Sequence, residues 1–346
     1  MSRPDVEIVG AGIIGLSTAW RLSAAGLSVR VHDPAPGTGA SGVAAGMLAP
    51  VGETHFDNTG LLPLLCGAAA RWPAFAAELT EASGMDVGYR TEGTLAVACD
   101  ADALAELDRE AAHHRSLGLA SHALRRSAVR ELEPLLTPRV RAGLRVDGDH
   151  QVDPRRVLAA LRSIVDVDDS PVGDAGTVVV AAGWRTGALT GLPIRPVKGQ
   201  LLRLAAAGAP RLTHVVRGRL SGRGVYLVPR DDGELVVGAT SEERGDTTVT
   251  AGAVYDLLRA AIDLVPVLAE YRLAETCAGL RPGTPDNLPV LGRIDARTIV
   301  ASGHYRNGVL LAPATADAIT TLITSGGLPA DWSPCDPGRF TDHGAD

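Results

Sequence analysis

A chain of 346 residues, 45% of them hydrophobic, is long enough for about two domains sharing a sizeable core. Its 40 acidic residues outnumber the 33 basic ones and give a formal charge of -7, which argues against nucleic acid or an anionic membrane as a general partner and leaves small molecules. Only Lys198 among the basic residues is a lysine, so the arginines reflect composition as much as function.

The first strand is expected at Val6 to Val9, so early that no leader peptide is expected before it and a cytoplasmic enzyme is the simplest reading. The turn Gly10-Ala11-Gly12-Ile13-Ile14-Gly15 follows, then a helix to about Ala24 and a strand from Leu27 to His32, which makes one βαβ unit. The stretch from Ile13 to Leu27 carries Arg21 and breaks at Gly26, too short and too polar to span a bilayer. Helices are predicted from Leu61 to Ala82 and from Ala101 to Leu117, with a short strand at Gly93 to Ala98 between them. Asp153 and Pro154 are suited to cap and open another helix. Thr177 to Ala181 reads as a strand buried in a parallel sheet. Strands at Gln200 to Leu204, Val225 to Val228 and Glu234 to Gly238 suggest an antiparallel sheet, and Thr250 opens a helix. A strand at Thr298 to Ala301 and a helix from about Pro313 to Ile323 return to α/β character, and an extended tail is expected after Leu328. Cys66, Cys99, Cys277 and Cys335 show no metal-ligand spacing, so isolated thiols and no metal are expected.

Gly10, Gly12 and Gly15 have the spacing that lets a strand turn tightly, admits a pyrophosphate to the backbone and packs a helix closely on its strand. The helix N-terminus then offers free N–H groups to the phosphates, and Asp33, about twenty residues on, is placed for a ribose hydroxyl. This fingerprint alone does not choose between FAD and NAD. The run Gly39 to Met47, almost without bulky side chains, is suited to line an extended planar cofactor. Near the other end, Gly303-His304-Tyr305-Arg306-Asn307-Gly308 forms a second glycine-bearing strand-to-helix junction, whose amides could face negative charge on a reduced flavin ring.

With these pieces in order, the sequence resembles the D-amino-acid oxidase superfamily, and within it the glycine oxidases associated with the thiazole part of thiamine. The resemblance covers about residues 5 to 325 and is most specific at Ala44 to Leu48, Ala278 to Thr284 and His304 to Pro313. It implies an α/β fold in which a Rossmann-like FAD-binding domain (1–82, 142–195 and 276–328) is interleaved with an α+β substrate domain (83–141 and 196–275) built on a largely antiparallel sheet, with a tail at 329–346. By position, non-covalent FAD would be met by Gly10, Gly12, Ile13, Ile14, Gly15, Asp33, Pro34, Ala40, Ser41, Ala45, Gly46, Met47, Val172, His304, Tyr305, Arg306, Asn307, Gly308, Val309 and Leu310.

Arg281 and Arg306 would then meet the substrate, with Tyr226 nearby. The planar fork of an arginine suits a carboxylate, which favours Arg281 as the anchor. Tyr226 serves either the site or the strand core, and Arg306 either the substrate or the flavin loop; the residue pattern does not separate these. The implied reaction is oxidation of a small amino acid, glycine first, to an imine that hydrolyses to glyoxylate and ammonia, with oxygen reduced to hydrogen peroxide. Sarcosine, proline or a D-amino acid are alternative substrates, and a catalytically silent FAD-binding or electron-transfer subunit is a second alternative. A homo-oligomer is compatible with the sequence.

Two departures from the family stand out. Only about a dozen residues join Ile164 to Thr177, where relatives have a longer stretch including a hairpin. Arg217 to Arg223 contains no aromatic residue, where related glycine oxidases place a second tyrosine.

Overall fold

The computed structural model describes residues 3–53, 59–220 and 222–340, so the last six residues of the expected tail lie outside it. The chain opens with β1 (Val6–Val9), α1 (Ile13–Ala24), β2 (Val29–His32), β3 (Met47–Leu48) and α2 (Leu62–Ser83). Then come β4 (Thr94–Ala98), α3 (Ala101–Ser116), β5 (His122–Arg125), α4 (Arg126–Leu132), β6 (Ala142–Val146) and β7 (His150–Gln151). α5 (Pro154–Ile164), β8 (Val167–Asp168), β9 (Thr177–Val180) and α6 (Thr186–Thr190) complete the first half of the fold. The second half holds β10 (Arg195–Ala205), β11 (Val215–Leu220), β12 (Arg223–Pro229), β13 (Glu234–Gly238), α7 (Ala251–Leu264), β14 (Arg272–Gly283), β15 (Val290–Arg293), β16 (Thr298–Ser302) and α8 (Gly308–Ser325).

The helix starts follow from capping. Asp100 accepts from Ala103 N at 2.8 Å, Asp153 from Arg155 N at 2.9 Å with Pro154 in the first turn, and Thr250 from Ala253 N at 3.3 Å. Each side chain satisfies an amide that the helix itself leaves free.

Two large sheets organise the molecule. The first has the order β15-β16-β9-β1-β2-β8; β1 pairs in parallel with both β2 and β9, and only β15 runs antiparallel. The valine run of β9 lies between β1 and β16 and is buried as its composition requires. Leu16, Trp72, Leu161 and Ile319, from α1, α2, α5 and α8, share its core. The second sheet has the order β14-β10-β13-β12-β11-β4-β6-β5 and is antiparallel except where β11 meets β4. The fold is thus mixed α/β with interleaved segments. β6 and β14 both hydrogen-bond into this second sheet, so residues 142–146 and 276–283, expected with the cofactor segments, are shared with it instead.

α8 begins at Gly308, five residues before the expected start, and carries Pro313 inside it. Trp72 Nε1 on α2 donates to Leu310 O at 2.9 Å, so the first turn of α8 is tied into the core. α8 is also long and apolar enough to cross a membrane by length and composition, but most of it is buried inside the fold. The extended tail is corrected too: 330–335 and 337–340 form 3₁₀ turns, and Trp332 and Cys335 are buried in the core of the first sheet. A proline-rich stretch with few apolar residues still folds back when a tryptophan can be removed from water, worth about 2–3 kcal/mol for a large side chain.

Candidate active site

The glycine turn is shaped by close approach of backbone to backbone. Gly10 has φ 108°, and a Cβ there would stand 2.5 Å from Ala181 O on the neighbouring strand's extension. A Cβ on Gly15 would overlap the Gly10 carbonyl, so this glycine lets α1 start directly against β1. Gly12 is the N-cap of α1, and a Cβ there would meet only Ser41 Oγ, at 3.4 Å. Ser41 Oγ accepts from Ile13 N at 3.1 Å, and the Asp33 carboxylate accepts from Ala11 N at 2.8 Å and Ala35 N at 2.9 Å. The turn is thereby fixed to the end of β2 while the face at Gly12 stays open.

That face opens into a cavity of about 1080 Å³ that runs between the two sheets. The N-terminus of α8 reaches the same cavity through Gly308 and Val309, so two helix N-termini direct amide groups and positive dipole ends into one space. His304 is buried before α8, with Nε2 3.0 Å from Thr315 Oγ1, and burial pushes its imidazole down to about 3. Tyr305, at φ 49°, donates its N–H to Pro282 O at 3.0 Å, which brings the segment after β16 against the end of β14.

The second sheet supplies the other wall. Tyr226 on β12 stands opposite Gly238 on β13, and a Cβ at Gly238 would overlap the phenol ring. A Cβ at Gly199 on β10 would likewise overlap the Arg281 guanidinium from β14. Bare backbone on the neighbouring strands therefore lets both side chains lie across the sheet. Tyr226 is open only toward the cavity, and burial pushes its hydroxyl up to about 12. Arg281 Nη1 donates to Thr240 O at 3.2 Å and Lys198 O at 3.4 Å; no carboxylate pairs with it among the described residues. Burial and the adjacent Arg306 lower its affinity for its proton. Arg306 is exposed at the rim, its guanidinium 5.2 Å from the Tyr305 ring centre.

The seam between the sheets is held by Arg230, which donates to Ala45 O at 2.5 Å, Val152 O at 3.0 Å and Gln151 Oε1 at 2.8 Å. These bonds pin the small-residue run, whose Gly46 has φ 78° and no space for a Cβ beside Val152 O. Val43, Ala45 and Met47 from this run pack against Leu201, Val236 and Tyr226 of the second sheet.

Gly10, Gly12, Ile13, Ile14, Asp33, Pro34, Ala40, Ser41, Ala45, Gly46, Met47, His304, Tyr305, Arg306, Gly308 and Val309 all line the cavity, as do Tyr226 and Arg281. Four expected cofactor residues do not. Gly15 acts behind the turn, Asn307 is the N-cap residue of α8 and accepts from Leu311 N through its main-chain oxygen, and Leu310 faces the core beside Trp72. Val172 is exposed: Gly173 N and Ala175 N donate to the buried Glu7 carboxylate at 2.9 and 3.3 Å, which draws the shortened loop toward the sheet edge and leaves Val172 facing solvent.

The cavity also includes residues the sequence did not single out, among them His32, Trp184, Glu53, Arg217 and Glu110. Glu53 lies just past the small-residue run, and its charge acts on both Tyr226 and Arg281. Glu110 lies on α3 with its carboxyl raised by burial, 3.6 Å from Arg217 Nη1. No cluster of side chains suited to a metal ion occurs among the described residues.

These features suit a dinucleotide: the Cβ-free approach at Gly12, the two helix N-termini and the volume of the cavity suit a large anionic group, and Arg281 remains for a second, smaller anion. Residues 5–322 match the FAD dependent oxidoreductase family, DAO. The chain is 33% identical to the glycine oxidase of Geobacillus kaustophilus, with 96% of each chain covered. It is 36% identical to a Rhizobium etli oxidoreductase assigned to thiamine biosynthesis, ThiO, over 94% of this chain and 98% of that one. The crystal structure of glycine oxidase from Geobacillus kaustophilus superposes with a TM-score of 0.89 at 32% identity, covering 97% of this chain and 98% of that one. The chain therefore belongs to the DAO family of FAD-dependent oxidoreductases.

Proposed function

We propose that this enzyme oxidises the carbon–nitrogen bond of a small amino acid, glycine being the first choice, in the cytoplasm as part of thiamine biosynthesis. The observation that carries this reading is Arg281, a half-buried guanidinium with main-chain partners only, set beside Tyr226 at the inner face of the cavity. Such a group needs an anion, and its fork matches an amino-acid carboxylate. Support for glycine and for thiamine comes from the names of the relatives above.

The pyrophosphate of FAD would lie at Gly12 and the α1 N-terminus, its ribose near Asp33, and its ring between the small-residue run and the α8 N-terminus. FAD, when bound, supplies the acceptor for the hydride of the reaction, and molecular oxygen is the expected final oxidant. Arg281 would hold the carboxylate, and Tyr226, protonated at any working pH because burial raises it to about 12, would donate a hydrogen bond to the same group. Glu53, on the acidic side of the site, would accept from the amino group. Between them the α-carbon is held in one orientation, which is the main contribution a protein makes to cofactor chemistry of this kind.

The test is the absorbance of the yellow holoenzyme before and after anaerobic addition of glycine, sarcosine, proline and D-alanine in turn. Bleaching by glycine ahead of the others supports the proposal, and bleaching first by another member changes the substrate. No bleaching by any of them would point to a silent FAD-binding subunit. Acid precipitation should release the colour, because FAD is expected to be held without a covalent bond.

A further inference from the structure

Beneath the substrate end, a set of buried polar groups closes on one short piece of main chain. Asp149, in the turn between β6 and β7, is fully buried, and its carboxylate accepts from Val51 N at 3.1 Å and Gly52 N at 2.7 Å. A Cβ at Gly52 would stand 2.5 Å from Asp149 Oδ2 and 2.9 Å from Arg217 Nη1. The Asp149 carboxylate, from the turn after β6, and the Arg217 guanidinium, from β11, thus lie over Gly52, where a side chain would have to displace them. The next residue, Glu53, reaches the cavity, close enough to act on Tyr226 and Arg281.

We propose that Asp149, with the charge of Arg217 beside it, is a positioning residue that grips Val51 and Gly52 so that Glu53 is presented to the substrate amino group. This deepens the amino-acid oxidase reading and rests on it. Glu53 has no rigid element of its own: its N–H donates to Ala49 O at 3.2 Å, and the grip on the two preceding amides supplies the rest of its placement. Arg217 is itself held from α3 by Glu110, so the grip ties the second sheet to the loop that carries the acid.

The grip is sensitive to pH. The charged groups around Asp149 are Glu53 on the gripped loop, Arg217 on β11, and Glu110 on α3; Cys66 on α2 and the neutral His114 on α3 complete its surroundings. Burial pushes the Asp149 carboxyl up to about 7 against the pull of the two amides and Arg217. Ionised, it accepts charge-assisted bonds from both amides; protonated, it loses the charge and its hydroxyl oxygen becomes a donor and a weaker acceptor, so the hold on one amide loosens. Kinetic competence carried by the grip should therefore rise as pH passes through 7.

The experiment is a double-mutant cycle on the holoenzyme with Glu53→Gln, Asp149→Asn and the double variant, read as kcat/KM for glycine across pH. Each single change is expected to lower kcat/KM about tenfold, and the double variant to be no worse than Glu53→Gln by more than about twofold, since one residue acts through the other. Flavin content should be unchanged, and the limb near pH 7 should be missing from Asp149→Asn. Multiplicative losses, loss of flavin or an unchanged pH profile would overturn the proposal. Arg217→Met offers the same cycle if Asp149→Asn does not fold. Should glycine not be oxidised, the cycle is read from the dissociation constant of glycine as a ligand, followed by its shift of flavin absorbance, with acetate, which lacks the amino group, as the control. Asp149→Asn should then weaken glycine binding in the wild-type background and not in Glu53→Gln, and leave acetate binding nearly unchanged in both; a change of equal size in both backgrounds would overturn the grip independently of the oxidase reading.

Discussion

The two ends of the cavity are built on different plans. At the glycine turn the wall is backbone: Gly10, Gly12 and Gly15 sit within six residues, and Asp33 and Ser41, whose side chains bond to the turn, follow within thirty. At the other end the wall is side chain: Arg281, Tyr226, Arg217, Glu110 and Glu53 come from β14, β12, β11, α3 and a loop, and they meet only through the pairing of the second sheet's strands, the packing of α3 on them and the loop that faces them. The first plan tolerates almost no change in shape and selects an anion through amides and helix dipoles. The second depends on the balance between two arginines and two acids.

The largest effect expected from this contrast is at Gly15. Gly15→Ala drives a methyl into the Gly10 carbonyl, and the strain, about 3 kcal/mol, should lower the stability of apoprotein and holoprotein alike and abolish flavin retention. Gly12→Ala has room in the protein alone, with Ser41 Oγ at 3.4 Å, so apoprotein stability should stay within about 0.5 kcal/mol while FAD retention falls sharply. Thermal unfolding of both variants with and without FAD separates the two roles; equal loss of apoprotein stability would mean that Gly12 serves packing as well.

A smaller effect concerns His304. Its imidazole is held at about 3 by burial against an ordinary value of 6.5, so between those pH values the unfolded chain binds a proton that the folded chain does not. Stability from this residue is therefore complete above about pH 6.5 and is lost as pH falls toward 3. His304→Gln, which cannot titrate, should show a shallower decline of Tm between pH 7 and pH 5 than the wild type. Parallel declines would remove His304 as a contributor to acid sensitivity.

The same contrast explains what could be read in advance. The glycine turn, the small-residue run and the strand-to-helix junction before α8 each lie in one stretch of chain, so their geometry is local and their spacing carries it. The α8 start was misplaced because Pro313 suits a first helical position, whereas Trp72, distant in sequence, ties the preceding turn to the core. Val172 lies off the cavity lining, and nothing in the loop itself announces that Glu7, on β1, will capture the amides of Gly173 and Ala175. Glu53, Arg217 and Asp149 carried no signal at all: an acid in a loop, one arginine among many and an aspartate in a turn acquire meaning only from the pairing of β11 with β4 and β12 and from the closing of α3 over that face. Arg281 was legible through the resemblance, and the bare glycines that let it lie flat, Gly199 in particular, were not.

The central claim is that Arg281 anchors a carboxylate, and it is tested most directly by comparing an amino acid with a simple amine on Arg281→Ala and Arg281→Lys. Alanine should weaken turnover of the amino acid by roughly 2–5 kcal/mol in kcat/KM, the range for removing one partner of a buried charged pair, with lysine intermediate because it keeps the charge and loses the fork. Flavin content should hardly change, and oxidation of an amine that lacks the carboxylate should be far less affected. Equal losses for amine and amino acid, or loss of flavin, would contradict the account and place the anchor elsewhere, with Arg306 at the rim the next candidate.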